Sequence, residues 1–207
     1  LPDGRNAILD ALAADRLIEA AGGGHWNVMN VGAILLAKHL SDFGSLQRKA
    51  VRVVVYKGKG RVQTLREQTG AKGYASGFEG LIGFIHGLLP VNEVIGQALR
   101  KAVPVYPELA IRELVANALI HQDFSVSGSG PMVEIFDDRM EITNPGLPLV
   151  ATSRMLDSPP RSRNEALASL MRRMGVCEER GSGVDKVVSE AEFYQLPAPA
   201  FEVVGES

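Results

Sequence analysis

A single cysteine, Cys177, occurs among the 207 residues, so no internal disulfide can staple the fold. No apolar run approaches the roughly 20 residues that a membrane-spanning helix needs. The first residues carry neither the charged stretch nor the apolar core of a secretory leader. An excess of one charge is also missing: Lys plus Arg number 22 and Asp plus Glu 24, a formal charge of −2. That balance gives no global attraction toward nucleic acid or anionic lipid. A G-x-x-x-x-G-K-[ST] phosphate loop is absent too, since the nearest string, "GKGRVQT" at 58–64, lacks the spacing. Unwinding of DNA driven by such a loop is not expected. What remains is a soluble globular composition, 45% hydrophobic and 22% charged. The length suits one domain, with or without a small appendage. A reducing cytoplasm is the simplest setting, and a first residue of Leu rather than Met leads us to expect a piece of a longer protein.

Along the chain, "RNAILDALAADRLI" (5–18) has helical apolar spacing, and "GGG" (22–24) is expected to stop that helix. A second helix is expected over Val31 to Leu40, giving a mainly helical N-terminal segment whose two helices and turn fit a helical hairpin or a helix-turn-helix remnant. "AVRVVVYKGKG" (50–60) reads as a strand and a turn, and "GFEGLIGFIHGLL" (77–89) as a helix. Trp26, Tyr106 and Cys177 read as packing residues.

The segment from Pro107 to Gln122 predicts a helix, with Pro107 in its first turn and Glu108 complementing its positive end. At about 100° per residue, Ile111, Leu114, Val115, Ala118 and Leu119 share a core-facing stripe. Glu113, Asn117 and His121, each four residues after the last, drift only about 40° per step and form a polar stripe. Such a stripe is either the solvated face of an amphipathic helix or the wall of a pocket, and Ala116 and Ile120 beside it suit the wall.

Apolar alternation around "DDR" predicts a hairpin over Met132 to Ile142, followed by the turn "NPG" (144–146), where Gly146 permits a positive φ or close backbone approach. "SRNEALASLMRRMG" (162–175) predicts a helix, with capping-box spacing at Ser162 and Glu165 and a stop at Gly175. "ERGSGVDKVVSEA" (179–191) is a glycine turn opening into a last helix. Backbone N–H groups of Gly181, Ser182 and Gly183 with that helix start could cradle a phosphate.

The order of these parts resembles the nucleotide-binding fold shared by DNA gyrase, Hsp90, histidine kinases and MutL, the GHKL or Bergerat fold. More closely it resembles the histidine-kinase-type ATPase-like domain of RecG-related transcriptional regulators, many of which carry a Schlafen/AlbA-type DNA-binding domain upstream. The resemblance rests on "YPELAIRELVANALIHQDFS" (106–125), "VEIFDDRMEITNPGLP" (133–148), "SRNEALASLMRRMG" (162–175) and "ERGSGVDKVV" (179–188). It implies an α+β fold, a two-layer α/β sandwich over 46–207 behind the helical segment 1–45. It also implies ATP and Mg²⁺ as ligands, DNA contact through domains outside this chain, no membrane contact, and a homodimer as a possible assembly.

Carried onto this sequence, Asn117 becomes the Mg²⁺ ligand and Glu113 the catalytic carboxylate that orients water. His121, Asn144, Gly146, Arg163, Gly181, Ser182 and Gly183 join Asn117 in holding nucleotide, with 153–163 as the lid, where Arg154 and Arg161 also lie. An amide oxygen suits a hard cation that keeps several waters, and a carboxylate suits general-base work. The sequence departs from the fold's pattern at Asn144, where an aspartate ordinarily accepts a hydrogen bond from the adenine amino group. An amide oxygen accepts that bond more weakly. Three readings stay open: a nucleotide-binding regulatory module, a true ATPase, and a scaffold that has lost its ligand.

Overall fold

The computed structural model describes residues 3–95, 100–155, 157–159, 161–177 and 183–205. In chain order the elements are α1 (Arg5–Ala14), β1 (Ile18–Gly22), β2 (His25–Val28), α2 (Asn30–Leu36), β3 (Arg52–Tyr56), β4 (Thr64–Thr69) and α3 (Tyr74–His86). Then come β5 (Val91–Ile95), β6 (Arg100–Pro104), α4 (Glu108–His121), β7 (Met132–Ile135), β8 (Met140–Thr143), α5 (Glu165–Arg173) and α6 (Gly183–Phe193).

The main sheet has the order β4-β3-β7-β8. Its central pair, β3 and β7, is parallel, and both edge strands are antiparallel to their neighbours. Alternation along the strands gives the sheet two apolar faces. Val53, Val133 and Ile135 join the main core with Phe78 of α3, Ile111 and Leu119 of α4, and Leu167 and Met171 of α5. Val54, Tyr56 and Phe136 form a second, smaller cluster. The result is a mixed α+β fold with helices against one face of a four-stranded sheet.

On the second face, loop 57–63 reaches back over the strands. Glu134 is only 1% exposed, and Arg61 grips it with Nε at 2.6 Å and Nη2 at 2.9 Å while also bonding Glu141. Tyr56 stacks on Phe136 at 5.1 Å, and the Arg139 guanidinium lies 3.9 Å from that ring's centroid. Asp138, at the hairpin tip, pairs with Lys59 and Arg139.

The N-terminal segment differs from its expected helical form. Helix α1 ends at Ala14 because Arg16 turns left-handed (φ 57) and its N–H and that of Leu17 cap Ala13 and Leu12. The chain then enters a β-hairpin. "GGG" forms its tip, with φ of 84°, 59° and 80° at Gly22, Gly23 and Gly24, values that glycine adopts without a Cβ clash. Helical periodicity overran its end because Leu17 is buried for a different reason. It plugs the core beside Gly32, where a Cβ would stand 2.2 Å from the Leu17 carbonyl oxygen. Leu17, Leu35 and Leu40 belong to the same buried cluster as Val53 and Met171.

The helix expected at 77–89 lies at Tyr74–His86, and the hairpin expected after Gly130 is β7-β8. The capping box expected at Ser162 and Glu165 is not formed. The N-cap of α5 is Asn164, without a side-chain cap bond, because its amide is directed across to α4. Gly175 (φ 71) ends α5 as expected, with its N–H on Arg172 and that of Val176 on Met171.

Candidate functional site

Helix α4 carries the polar stripe, and its neighbours decide what each member meets. Ile111, Val115, Ala118 and Leu119 are buried as expected, whereas Leu114 is half-buried. Ala116 and Ile120, expected to border a pocket, are also inside the main core. From Glu113 through Asn117 to His121 is eight residue steps, a run of about 12 Å along the helix.

At the N-terminal end of this run, Glu113 is 8% exposed. It borders a cleft of about 420 Å³ with Glu108, Leu109, Arg112, Gly175, Val176 and Cys177. Burial, and then the Glu113 charge, pushes the Cys177 thiol up to about 11, so it stays protonated. Arg112 donates to Glu79 at 2.9 Å over the Phe78 ring. Gly183, the first residue of α6, lies so close that a Cβ there would sit 2.3 Å from Glu113 Oε1. Gly181 and Ser182, the other expected phosphate contacts, lie outside the described residues.

Asn117 is half-buried one turn on, and His121 is half-buried one turn further. Burial, reinforced by the Arg163 charge, lowers the His121 pKa from the ordinary 6.5, which favours a neutral ring at pH 7.

Beyond His121 three segments converge. Gly146 takes φ 101, and a Cβ on it would stand 2.5 Å from Asp123 Cβ. The Asp123 N–H donates to Pro145 O at 2.8 Å. Asn144 is half-buried, and its Nδ2 donates to Pro145 O at 3.4 Å. Arg163 donates from Nη1 to Asp123 Oδ2 at 3.3 Å and from Nη2 to Leu147 O at 2.5 Å. Asn164 donates to Ile120 O at 2.6 Å and Gln122 O at 2.8 Å. Asp123 Oδ1 also accepts from Ser125 N and Oγ, which with the Arg163 and Lys49 charges holds its carboxyl below the usual range. The expected residues His121, Asn144, Gly146 and Arg163 thus meet at one end of α4, and Glu113 and Gly183 at the other. Arg154 and Arg161 are exposed on the surface.

Sequence reasoning missed the support beneath this end. Lys49, 3% exposed, donates to Val126 O at 2.7 Å and Asp123 O at 3.3 Å. Burial lowers its pKa against the pull of Asp123. Its own carbonyl accepts from the Tyr74 hydroxyl, which accepts from the buried Gln122 amide at 2.7 Å. Lys49 and Asp123 are 74 residues apart, and no local spacing announces the pairing.

Among the described residues no group of three or more His, Cys, Asp or Glu is placed to hold a metal ion. Magnesium bound through substrate phosphates and water needs only one or two protein oxygens, and the amide of half-buried Asn117 offers one. No described helix is long and apolar enough to cross a membrane.

Residues 128–207 match a family model described as "Putative ATP-dependent DNA helicase recG C-terminal". This stretch is similar to a RecG-related ATPase-like domain. It holds β7, β8, the NPG turn, α5 and α6, while α4 with Glu113, Asn117 and His121 lies before it. A likeness over most of the chain comes from the crystal structure of the DIP2311 protein from Corynebacterium diphtheriae. That likeness has a TM-score of 0.75 and 25% identity, and it covers 94% of this chain and 38% of that one. The chain therefore spans little more than a third of that protein's length. No curated protein matches the chain.

Proposed function

We propose that the chain is the nucleotide-binding regulatory domain of a transcriptional regulator, a Bergerat-type two-layer sandwich that takes Mg²⁺–ATP along the polar face of α4. The observation that carries this reading is the meeting of three sequence-distant segments on one helix: the NPG turn and Arg163 at its C-terminal end, and the start of α6 at its N-terminal end. Asn117, midway, would give its amide oxygen to the metal, which when bound neutralises phosphate charge. Gly183, with Gly181 and Ser182, would present backbone N–H groups to the phosphates. His121, Asn144 and Gly146 would border the base end. Arg163, whose terminal nitrogens hold Asp123 and Leu147, would fix the start of α5 and the adjoining lid segment. DNA contact would come from domains outside this chain, in a cytoplasmic homodimer.

Hydrolysis is a second reading, favoured by the buried Glu113 carboxylate at the edge of a cleft. There it would orient water and accept its proton. A helicase motor finds no support, since the chain lacks the phosphate loop such motors use.

Calorimetric titration with Mg²⁺–ATP and a non-hydrolysable analogue tests the proposal. Saturable binding by the native chain is expected, with Asn117→Ala weakening it at least tenfold and leaving the melting temperature within a few degrees. Absence of binding at millimolar nucleotide would sink the proposal and leave the scaffold reading.

A further inference from the structure

A second cavity, a groove of about 390 Å³, lies between α3 and β4, the edge strand of the main sheet. Helix α4 contributes Leu119 to it, a position about 200° around the helix from Asn117, so the groove is distinct from the polar stripe. Val53, Phe78 and Leu119, none more than 3% exposed, give it an apolar floor. Tyr74 also lines it, but its hydroxyl is committed to Lys49 O and the Gln122 amide. Gly80 forms part of the wall in the middle of α3. A Cβ there would meet nothing within 4 Å, so close packing does not call for a glycine, which weakens a helix relative to alanine. What the missing side chain preserves is the open groove. The rim is polar and of one sign. Gln68, the register partner of Val53, and Lys72 both line it and are exposed. Arg66 of β4 lies with its guanidinium 4.9 Å from the centroid of the lining Phe84 ring. No aspartate or glutamate lines the groove, and among the described residues no carboxylate pairs with Lys72 or Arg66. An apolar trough with a few polar groups at its mouth is the usual form of a small-molecule site.

We propose that this groove is a second ligand site, one that takes a small amphipathic carboxylate: an apolar body over Val53, Phe78 and Leu119, and an acid group at Lys72 and Gln68. Burial of the apolar body supplies most of the affinity, whereas an exposed ammonium adds a preference for the acid and little more. Arg66 adds positive charge at the Phe84 end. The site goes beyond the nucleotide reading and stands without it, although a ligand in the groove would press on the far side of the helix that carries Asn117.

Hydrocinnamate and its neutral amide are the probes, with binding to the native chain, Gly80→Leu and Lys72→Gln followed by ligand-observed NMR. The acid is expected to bind the native chain with a Kd on the order of a millimolar, as suits a ligand of about a dozen heavy atoms. It should bind roughly two- to fivefold more tightly than the amide, the range of an exposed ion pair. Gly80→Leu fills the groove while improving the helix, so it should melt no lower than the native chain and abolish binding of both probes. Lys72→Gln should hold the amide as before and bring the acid down to the same affinity. No saturable binding of either probe would overturn the site, and so would binding that Gly80→Leu leaves intact. Equal affinity of the native chain for acid and amide would overturn the choice of a carboxylate. A groove covered by a second copy of the chain would show in sedimentation, without any probe, as a dimer that Gly80→Leu dissolves, and that result would overturn the proposal too.

Discussion

Gly146→Ala is expected to destabilise the chain by about 2–4 kcal/mol, from a strained left-handed residue together with overpacking. The φ of 101° disfavours any side chain, and the new methyl would stand 2.5 Å from Asp123 Cβ and 3.3 Å from its nitrogen. Neither atom is the free end of a flexible side chain, so backbone must move. That movement would strain the bond from Asp123 N–H to Pro145 O and the Arg163 contacts that share Asp123. Gly24→Ala is the control. Its φ of 80° is similarly left-handed, but nothing lies within 4 Å of the added Cβ, so only the conformational cost of about 1–2 kcal/mol applies. Urea denaturation of the two variants would separate close approach from backbone strain. Equal losses would show that the turn tolerates the methyl and that its grip on α4 is loose.

The second large effect belongs to the outer face of the sheet. Arg61→Ala would leave the Glu134 carboxylate, 1% exposed, without its principal partner, at a cost of about 1–3 kcal/mol. The lower part of that range applies if water follows, since the Arg61 side chain is itself 56% exposed. Replacing both residues with apolar ones of similar volume should cost less than Arg61→Ala alone, because no buried charge is then orphaned. The pair also sets a pH dependence. The hydrogen bonds from Arg61 hold the Glu134 pKa below the ordinary 4.5, so the native state favours the ionised form. Its contribution is complete above the unfolded value and disappears as pH falls through the lowered native one. The difference in stability between the native chain and Arg61→Ala should therefore shrink on acidification below about pH 4.5. A difference that stays constant down to pH 3 would show that Glu134 is not charged in the folded chain.

Legibility from sequence followed how local each signal was. Helices α3, α4, α5 and α6 and the β7-β8 hairpin were readable because caps, glycine stops and apolar period lie within a few residues. Strand β4 was not, for "TLREQT" is exposed along its whole length and carries no apolar alternation. The β1-β2 hairpin was hidden because Leu17 continues the period of α1 although the helix has already ended. At the site, the spacing of Glu113, Asn117 and His121 was visible, and so was the NPG turn. That Gly146 meets Asp123, that Gly183 meets Glu113, and that Lys49 underlies both Asp123 and Val126 depends on contacts between residues from 23 to 77 positions apart. Ser162 shows how a local rule misleads: its capping-box spacing with Glu165 forms no cap, and α5 begins after Asn164, whose side chain bonds the end of α4 instead.

The parallel seam at the centre of the sheet has a kinetic consequence. Each hairpin, β3-β4 and β7-β8, closes over a short turn, but Arg52 faces Met132 across β3 and β7, with α3, β5, β6 and α4 all lying between them in sequence. Joining the two hairpins must overcome the closure entropy of that whole intervening chain. Pulse-labelled exchange during refolding should therefore find amides within the hairpins protected before those that bond across the seam, such as Arg52 N–H to Pro131 O. Simultaneous protection would mean that the intervening helices assemble first and deliver the strands together. On the staggered course, the two halves of the sheet exist briefly as separate pieces with open edges, and it is during that interval that a second chain could pair in place of the first.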